Sequence, residues 1–205
     1  MILVGAGGHA LSLAEFAASE ITGYLDSKPN EALMFPFLGD DDEALKIAAN
    51  GETFHFSYIY SGLPVMEKRR QLIEKYKTWG CRFKSLVAPS AIVSRNSVIG
   101  EGSAIMQGAI INRAVVGENC VVNSGAIIEH DCVIGQNSFI GPGAVIGGFT
   151  VIGENCFIGL GARIANGVKI GSNISVAMGA VVMKDLTEPG IYHGSPLRCF
   201  KITSR

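Results

Sequence analysis

The sequence predicts a small Rossmann-like α/β domain over residues 1–85, a parallel β-helix over 86–183 and a C-terminal tail over 184–205. Two observations carry this. The first is a six-residue repeat: Val or Ile stands at 87, 93, 99, 105 and 111 and, after one five-residue unit, at 116, 122, 128, 134, 140, 146, 152, 158, 164, 170, 176 and 182. Four residues after most of these comes a small or apolar residue, as at Ala109, Cys120, Ala126, Cys132, Ser138, Ala144, Thr150 and Cys156. Short strands winding into a prism around an aliphatic core produce this periodicity. The second is a glycine-rich turn, Gly5-Ala6-Gly7-Gly8-His9-Ala10, between an apolar run and a helical pattern.

The N-terminal elements follow in order. Met1-Ile2-Leu3-Val4 reads as a buried strand, and Leu13, Phe16 and Ala17 mark one side of the next helix. Ile21 to Leu25 is a second strand, closed by Asp26-Ser27-Lys28-Pro29. Asp40-Asp41-Asp42 supplies N-cap chemistry ahead of a helix over 43–49. Phe54 to Tyr60 reads as a third strand, Pro64 to Tyr76 as a helix and Cys81 to Leu86 as a fourth strand feeding the repeat. Strands alternating with helices imply a parallel sheet, about half of a doubly wound nucleotide-binding fold.

Composition bounds the function. The 205 residues are 48% hydrophobic with a net charge of -1, so no basic excess exists to neutralise nucleic-acid phosphates. No long apolar run or leader-like segment is seen, which makes a cytoplasmic protein the expectation, with no membrane partner. Cys120, Cys132 and Cys156 occupy inward small slots. At about 4.8 Å per coil, Cys120 and Cys156 fall beyond disulfide reach, so reduced core thiols are expected. One histidine in the whole repeat argues against a metal site.

Gly5, Gly7 and Ala10 have the G-x-G-x-x-A spacing that lets backbone N–H groups approach a phosphate at a helix N-terminus. A ligand-free strand–helix turn would use the same glycines. Asp26 lies where such sites place an acid for a ribose. With the second half of a dinucleotide fold missing, a single nucleotide or a nucleotide sugar fits better than NAD. His9 is within reach of such a ligand.

In the repeat, the third residue of each unit faces outward, and there His130 is flanked by Glu129 and Asp131. A neutral histidine is a usable base at pH 7, and a neighbouring carboxylate fixes its tautomer. One coil above, Gly147-Gly148 should leave an open gap about 4.8 Å away, where a backbone N–H could stabilise an oxyanion. The five-residue unit at Ile111 to Val115 leaves Arg113 on His130's face, where it would shape the acceptor pocket.

These residues together (Gly5-Ala6-Gly7-Gly8-His9, Asp26, Gly39-Asp40, Pro89-Ser90-Ala91, Asn123 through Gly135 with Glu129-His130-Asp131-Cys132, and Gly194-Ser195-Pro196) resemble the bacterial sugar O-/N-acetyltransferases of the sialic acid O-acetyltransferase type. These include the N-acetyltransferases of UDP- or dTDP-linked 4-amino-4,6-dideoxy sugars. The resemblance implies a left-handed β-helix, although left-handed crossovers run against the usual rule. It also implies a homotrimer with acetyl-CoA between subunits. His130 would be the base, oriented by Asp131 or Glu129. Gly7, Gly8, His9, Asp26, Ser27, Lys28, Gly62 and Asn123 would bind the nucleotide sugar. Gly147, Gly148, Asn166, Lys184 and Arg198 would bind the coenzyme. Phe139 departs from the family, which often carries a second histidine there, so a contact near the coenzyme sulfur or the acceptor would be lost or replaced. Leu197 replaces the usual alanine, and Tyr58 to Gly62 is bulkier than usual. An O-acetyltransferase of a sialic-acid-like sugar is the alternative within the class. A non-enzymatic nucleotide-sensing solenoid and an NAD-dependent oxidoreductase are the alternatives outside it.

Overall fold

In a computed structural model, which describes residues 1–58, 63–194 and 198–200, the chain forms two packed units. The first alternates β1 (Ile2–Val4), α1 (Gly8–Ala17), β2 (Gly23–Leu25), α2 (Ala44–Ala49), β3 (Thr53–Phe56), α3 (Leu63–Thr78) and β4 (Arg82–Phe83). The four strands are parallel in the order β2-β1-β3-β4. The period-two pattern of β1 explains the layering. Leu3 packs with α1 through Ala10, Leu13 and Ala17, whereas Ile2 and Val4 pack with Ala44 of α2 and with Ile73 and Tyr76 of α3. Asp40 caps the turn before α2 by accepting from the Asp42 amide. The third and fourth strands are shorter than the sequence suggests. β3 stops at Phe56, and the fourth divides into β4 and Leu86–Val87, which already belongs to the first coil.

From Leu86 the chain winds through short parallel strands, most of two residues, that stack into sheets of eight, six and five strands, the three faces of a prism. It is a left-handed β-helix. The second residue of each two-residue strand points inward and is buried from Ile105 upward, together with Ala109, Ala126, Cys132 and Ala162 of the small slot. At the first coil, where nothing lies beneath, Val87 is 47% exposed. Small-slot hydroxyls and thiols tie one coil to the next: Ser103 Oγ donates to the Gly117 carbonyl at 2.7 Å and Cys132 Sγ to that of Gly147 at 3.1 Å. Cys81, Cys120, Cys132 and Cys156 are buried free thiols, and burial pushes Cys120 up to about 12. From Gly102 to Gly179 each corner turns through a left-handed residue, mostly glycine or asparagine, the types that tolerate that backbone. The regular spacing ends at Val182, yet Gly190–His193 still pairs parallel with Ile174–Val176, and Arg198–Phe200 closes an antiparallel hairpin on it.

The α/β unit lies flat on the eight-stranded face. Outward residues Leu86, Ala104, Met106, Val121, Phe139 and Phe157 form one core with Leu3, Ala10, Leu13 and Met66. Phe139 stacks on Phe157 with centroids 4.9 Å apart, and burying each ring contributes about 2 kcal/mol. Position 139 therefore belongs to the interdomain core, which accounts for an aromatic there. A polar contact accompanies it. Buried Arg69 of α3 donates to the Asn119 carbonyl at 2.7 Å, to Asn137 Oδ1 and to the Tyr58 carbonyl at 3.1 Å. The Asn137 amide continues the chain to Asn155 and thence to Asn173, at 2.8 and 2.6 Å.

His55 of β3 is fully buried, and its Nδ1–H donates to the Lys84 carbonyl at 2.9 Å. Burial is the main cause that lowers it from the ordinary 6.5 to about 4. As pH falls, the unfolded chain therefore takes up this proton before the folded one does. The contribution is complete above about pH 6.5 and shrinks as pH falls toward 4, by on the order of 3 kcal/mol. His55→Asn keeps a donor for Lys84 and removes the titration. Its Tm should fall less steeply than that of the wild type between pH 6.5 and 4, and parallel curves would contradict this account.

Candidate active site

Strand order 2-1-3-4 reverses between β1 and β3, and at the carboxyl ends of such strands a crevice opens. A cavity of about 810 Å³ occupies it, lined by Gly5 to His9, Asp26 to Glu31, Ser57 and Tyr58. Gly5, at φ 101°, lies against the Tyr58 backbone, so the fold itself requires glycine there. Gly7 and Gly8 differ. Gly7 has an ordinary φ of -79°, and a Cβ on either would meet nothing within 4 Å. What the bare backbone leaves open is ligand space. α1 has no side-chain cap and no acid in its own first turn, so its N-terminal N–H groups and dipole face the cavity without a partner from the helix itself.

Asp26 plays a second part that spacing did not reveal. Its Oδ2 accepts from the Ala6 amide at 2.7 Å and its Oδ1 from the Ser27 amide at 2.6 Å, which braces the glycine loop. Lys28 is the cationic side chain among the described lining residues. Burial, more than the neighbouring His55 and Arg69, lowers His9 to about 3, so it is a neutral imidazole at pH 7. Gly62 lies outside the described residues.

His130 sits at the corner between the six-stranded and five-stranded faces, after Ile127–Ile128 and before Val133–Ile134. Its Nδ1 meets Asp131 Oδ2 at 3.0 Å. A carboxylate only accepts, so Nδ1 carries the proton and Nε2 is left bare. Asp131 Oδ1 accepts from Arg113 Nη2 at 2.8 Å, from the coil below. The hydrogen bonds from His130 and Arg113 hold Asp131 below the usual carboxylate range. Glu129 turns away and accepts from Asn112 Nδ2 at 3.3 Å, so Asp131 is the carboxylate that orients the base.

The gap expected at Gly148 is not open. Gly148 is buried, and a Cβ there would lie 2.9 Å from both Nε2 and Cε1 of His130. The imidazole lies against the glycine itself, closer than coil spacing alone suggests, because the ring leans up across the coil. The Gly148 amide has no acceptor among the described residues. Phe149, missed in the sequence, meets the His130 ring edge-to-face at 4.9 Å and 89°. Asn166 and Lys184 continue the same corner in higher coils, both exposed. Asn123 does not join them, because it lies on the next corner, between the eight- and six-stranded faces. The Arg198 backbone pairs with His193.

A tautomer-fixed imidazole on a β-helix, with a nucleotide-sized cavity on an attached α/β unit, defines an acyltransferase of the hexapeptide type. Residues 113–148 match the bacterial transferase hexapeptide (six repeats) model, and 149–184 match the hexapeptide repeat of succinyl-transferase. No curated protein matches the chain. Among solved structures it is similar to PerB from Caulobacter crescentus in complex with CoA and GDP-perosamine, with a TM-score of 0.88 and 30% identity over 97% of this chain and 96% of that one. The acetyltransferase domain of PglB from Neisseria gonorrhoeae gives 0.87 and 29% over 97% and 98%. In complex with acetyl coenzyme A, the same domain gives 0.82 and 30% over 97% and 98%. The chain belongs to the hexapeptide-repeat family of nucleotide-linked amino-sugar acetyltransferases.

Proposed function

We propose that the protein transfers the acetyl group of acetyl-CoA to the amine of a nucleotide-linked amino sugar, with His130 as general base. The observation that carries this reading is the pairing of Nδ1 with Asp131, which leaves Nε2 bare beside Gly148. Nε2 takes a proton from the sugar amine as its nitrogen attacks the thioester carbonyl. Asp131 offsets the positive charge that forms on the ring. The Gly148 amide stabilises the developing oxyanion. The C–S bond then breaks, and the proton held by His130 passes to the leaving thiolate, so that N-acetyl sugar and free thiol are the products. The corner from His130 through Asn166 to Lys184 spans three coil spacings, roughly 14 Å, a track along which a coenzyme arm can lie. Asp26, Ser27, Lys28 and the α1 N-terminus hold the nucleotide and its phosphates. The amine is favoured over a hydroxyl acceptor by the likeness to PerB, solved with an amino-sugar nucleotide.

The site is shared between copies of the chain in this reading. The cavity belongs to the unit that covers the eight-stranded face, and His130 stands at the opposite corner of the prism. A sugar held in one copy would therefore meet the base of another. Both faces that meet at His130 carry apolar residues outward: Val98, Val115, Val133 and Val151 on one, at 57, 43, 42 and 39% exposure, and Ile92 and Val181 on the other. Parallel sheets are seldom left bare, and a closed trimer with three-fold symmetry would cover both.

Complementation tests this arrangement. Gly8→Leu should fill the cavity, raise KM for the nucleotide sugar at least about tenfold and leave Tm unchanged, because the space in front of Gly8 is empty. Assayed well below that raised KM and mixed with His130→Ala chains in equal amounts, it should recover about a quarter of wild-type activity, the share of sites that combine both intact halves in a cyclic oligomer. Mixed oligomers with no recovery would contradict the shared site.

A further inference from the structure

Seven non-glycine residues among those described hold a positive φ, and five of them are Asn or Asp, which tolerate it. The other two are Arg113, at φ 48°, and Phe149, at φ 60°. Both stand on the His130 corner, one coil below and one coil above. Left-handed backbone is costly for an arginine or a phenylalanine, and costs of this kind persist where something else depends on the residue. Burial is not what Phe149 gains, since it is 60% exposed. Its partner is the His130 ring. Arg113 is similarly exposed, and its partner is Asp131.

We propose that Arg113 and Phe149 are positioning residues that clamp His130 from below and above, so that Nε2 stays against Gly148. The inference rests on His130 being the base. An imidazole can swing broadly about its second side-chain torsion. Three contacts on three sides oppose that swing: Asp131 at Nδ1, Phe149 at the ring and Gly148 at the Nε2–Cε1 edge. Arg113 acts one step back. It occupies the Asp131 oxygen that His130 does not use, so the carboxylate cannot rotate away. The five-residue unit makes this possible. With one corner residue fewer, Arg113 itself makes the turn beneath Asp131.

The test exchanges each residue for the one that the backbone prefers. Phe149→Asn and Arg113→Asn relieve the left-handed strain, so each Tm should hold or rise by a few degrees. For both, kcat should nonetheless fall about tenfold or more with KM unchanged, because only the placement of the base is disturbed. Phe149→Tyr, which restores the ring, should restore kcat. In a His130→Ala background, Phe149→Asn should cost nothing further, because its effect passes through the missing imidazole. Wild-type kcat in Phe149→Asn, a change confined to KM, or an additive loss in the double variant would overturn the clamp. Full activity in His130→Ala alone would instead overturn the base, and the clamp with it.

Discussion

His130→Ala should lower kcat by roughly 10²–10⁴-fold, the usual span for a lost general base, while the protein keeps its fold and oligomeric state. The structure separates the two effects. The His130 side chain is 45% exposed, and Asp131 would keep Arg113 as a partner. A surface pair of this kind contributes little to stability, so Tm should barely move. KM for both substrates should also hold, because the cavity and the track beyond Gly148 are untouched. The residual rate should climb with pH, since a rising fraction of the sugar amine is then the unprotonated form that can attack. Near-normal kcat in the folded variant would remove His130 from the chemistry.

Gly148→Ala should be nearly as damaging, for a steric reason. The added methyl would lie 2.9 Å from Nε2 and Cε1 and 3.3 Å from Cδ2 of His130. Backbone does not stand in the way; the ring does, and a half-exposed ring can move. The protein should therefore fold with Tm close to wild type, while the imidazole shifts by on the order of 1 Å and kcat drops about a hundredfold. A side chain at 148 would also crowd the amide assigned to the oxyanion. Wild-type kcat in Gly148→Ala would mean that the ring position in the folded protein is not the working one.

The β-helix was legible because each coil states the same rule: an inward aliphatic, a small inward residue, a corner. The corner of His130 was legible for the same reason, and with it Gly148 and Arg113. What periodicity could not convey was reach between coils. It left Glu129 and Asp131 equivalent, and the side-chain hydrogen bonds to Asn112 and His130 told them apart. It spaced Gly148 a full coil from the base, although the imidazole leans across that distance. Phe149 escaped notice because it looks like one more apolar residue until its left-handed backbone is seen. A usable signal was there, since that slot elsewhere holds Asn, Asp or Gly in every unit but those of Ser90 and Arg113. Phe139, where the resemblance implies that a histidine's contact is lost or replaced, packs between the two units, because two-residue strands put their first residue outward and the α/β unit covers that face. The glycine loop does turn between β1 and α1, and its spacing could not show that Asp26 is spent partly on bracing it.

The most direct test is an acetyl-CoA assay that counts released thiol and weighs the product, run over UDP-, dTDP- and GDP-linked amino sugars with the wild type and His130→Ala. The expected result is one thiol released per acetyl gained on the amine of one nucleotide sugar, with the rate lost in His130→Ala. Thiol release without an N-acetyl product, or no turnover across the panel, would contradict the account.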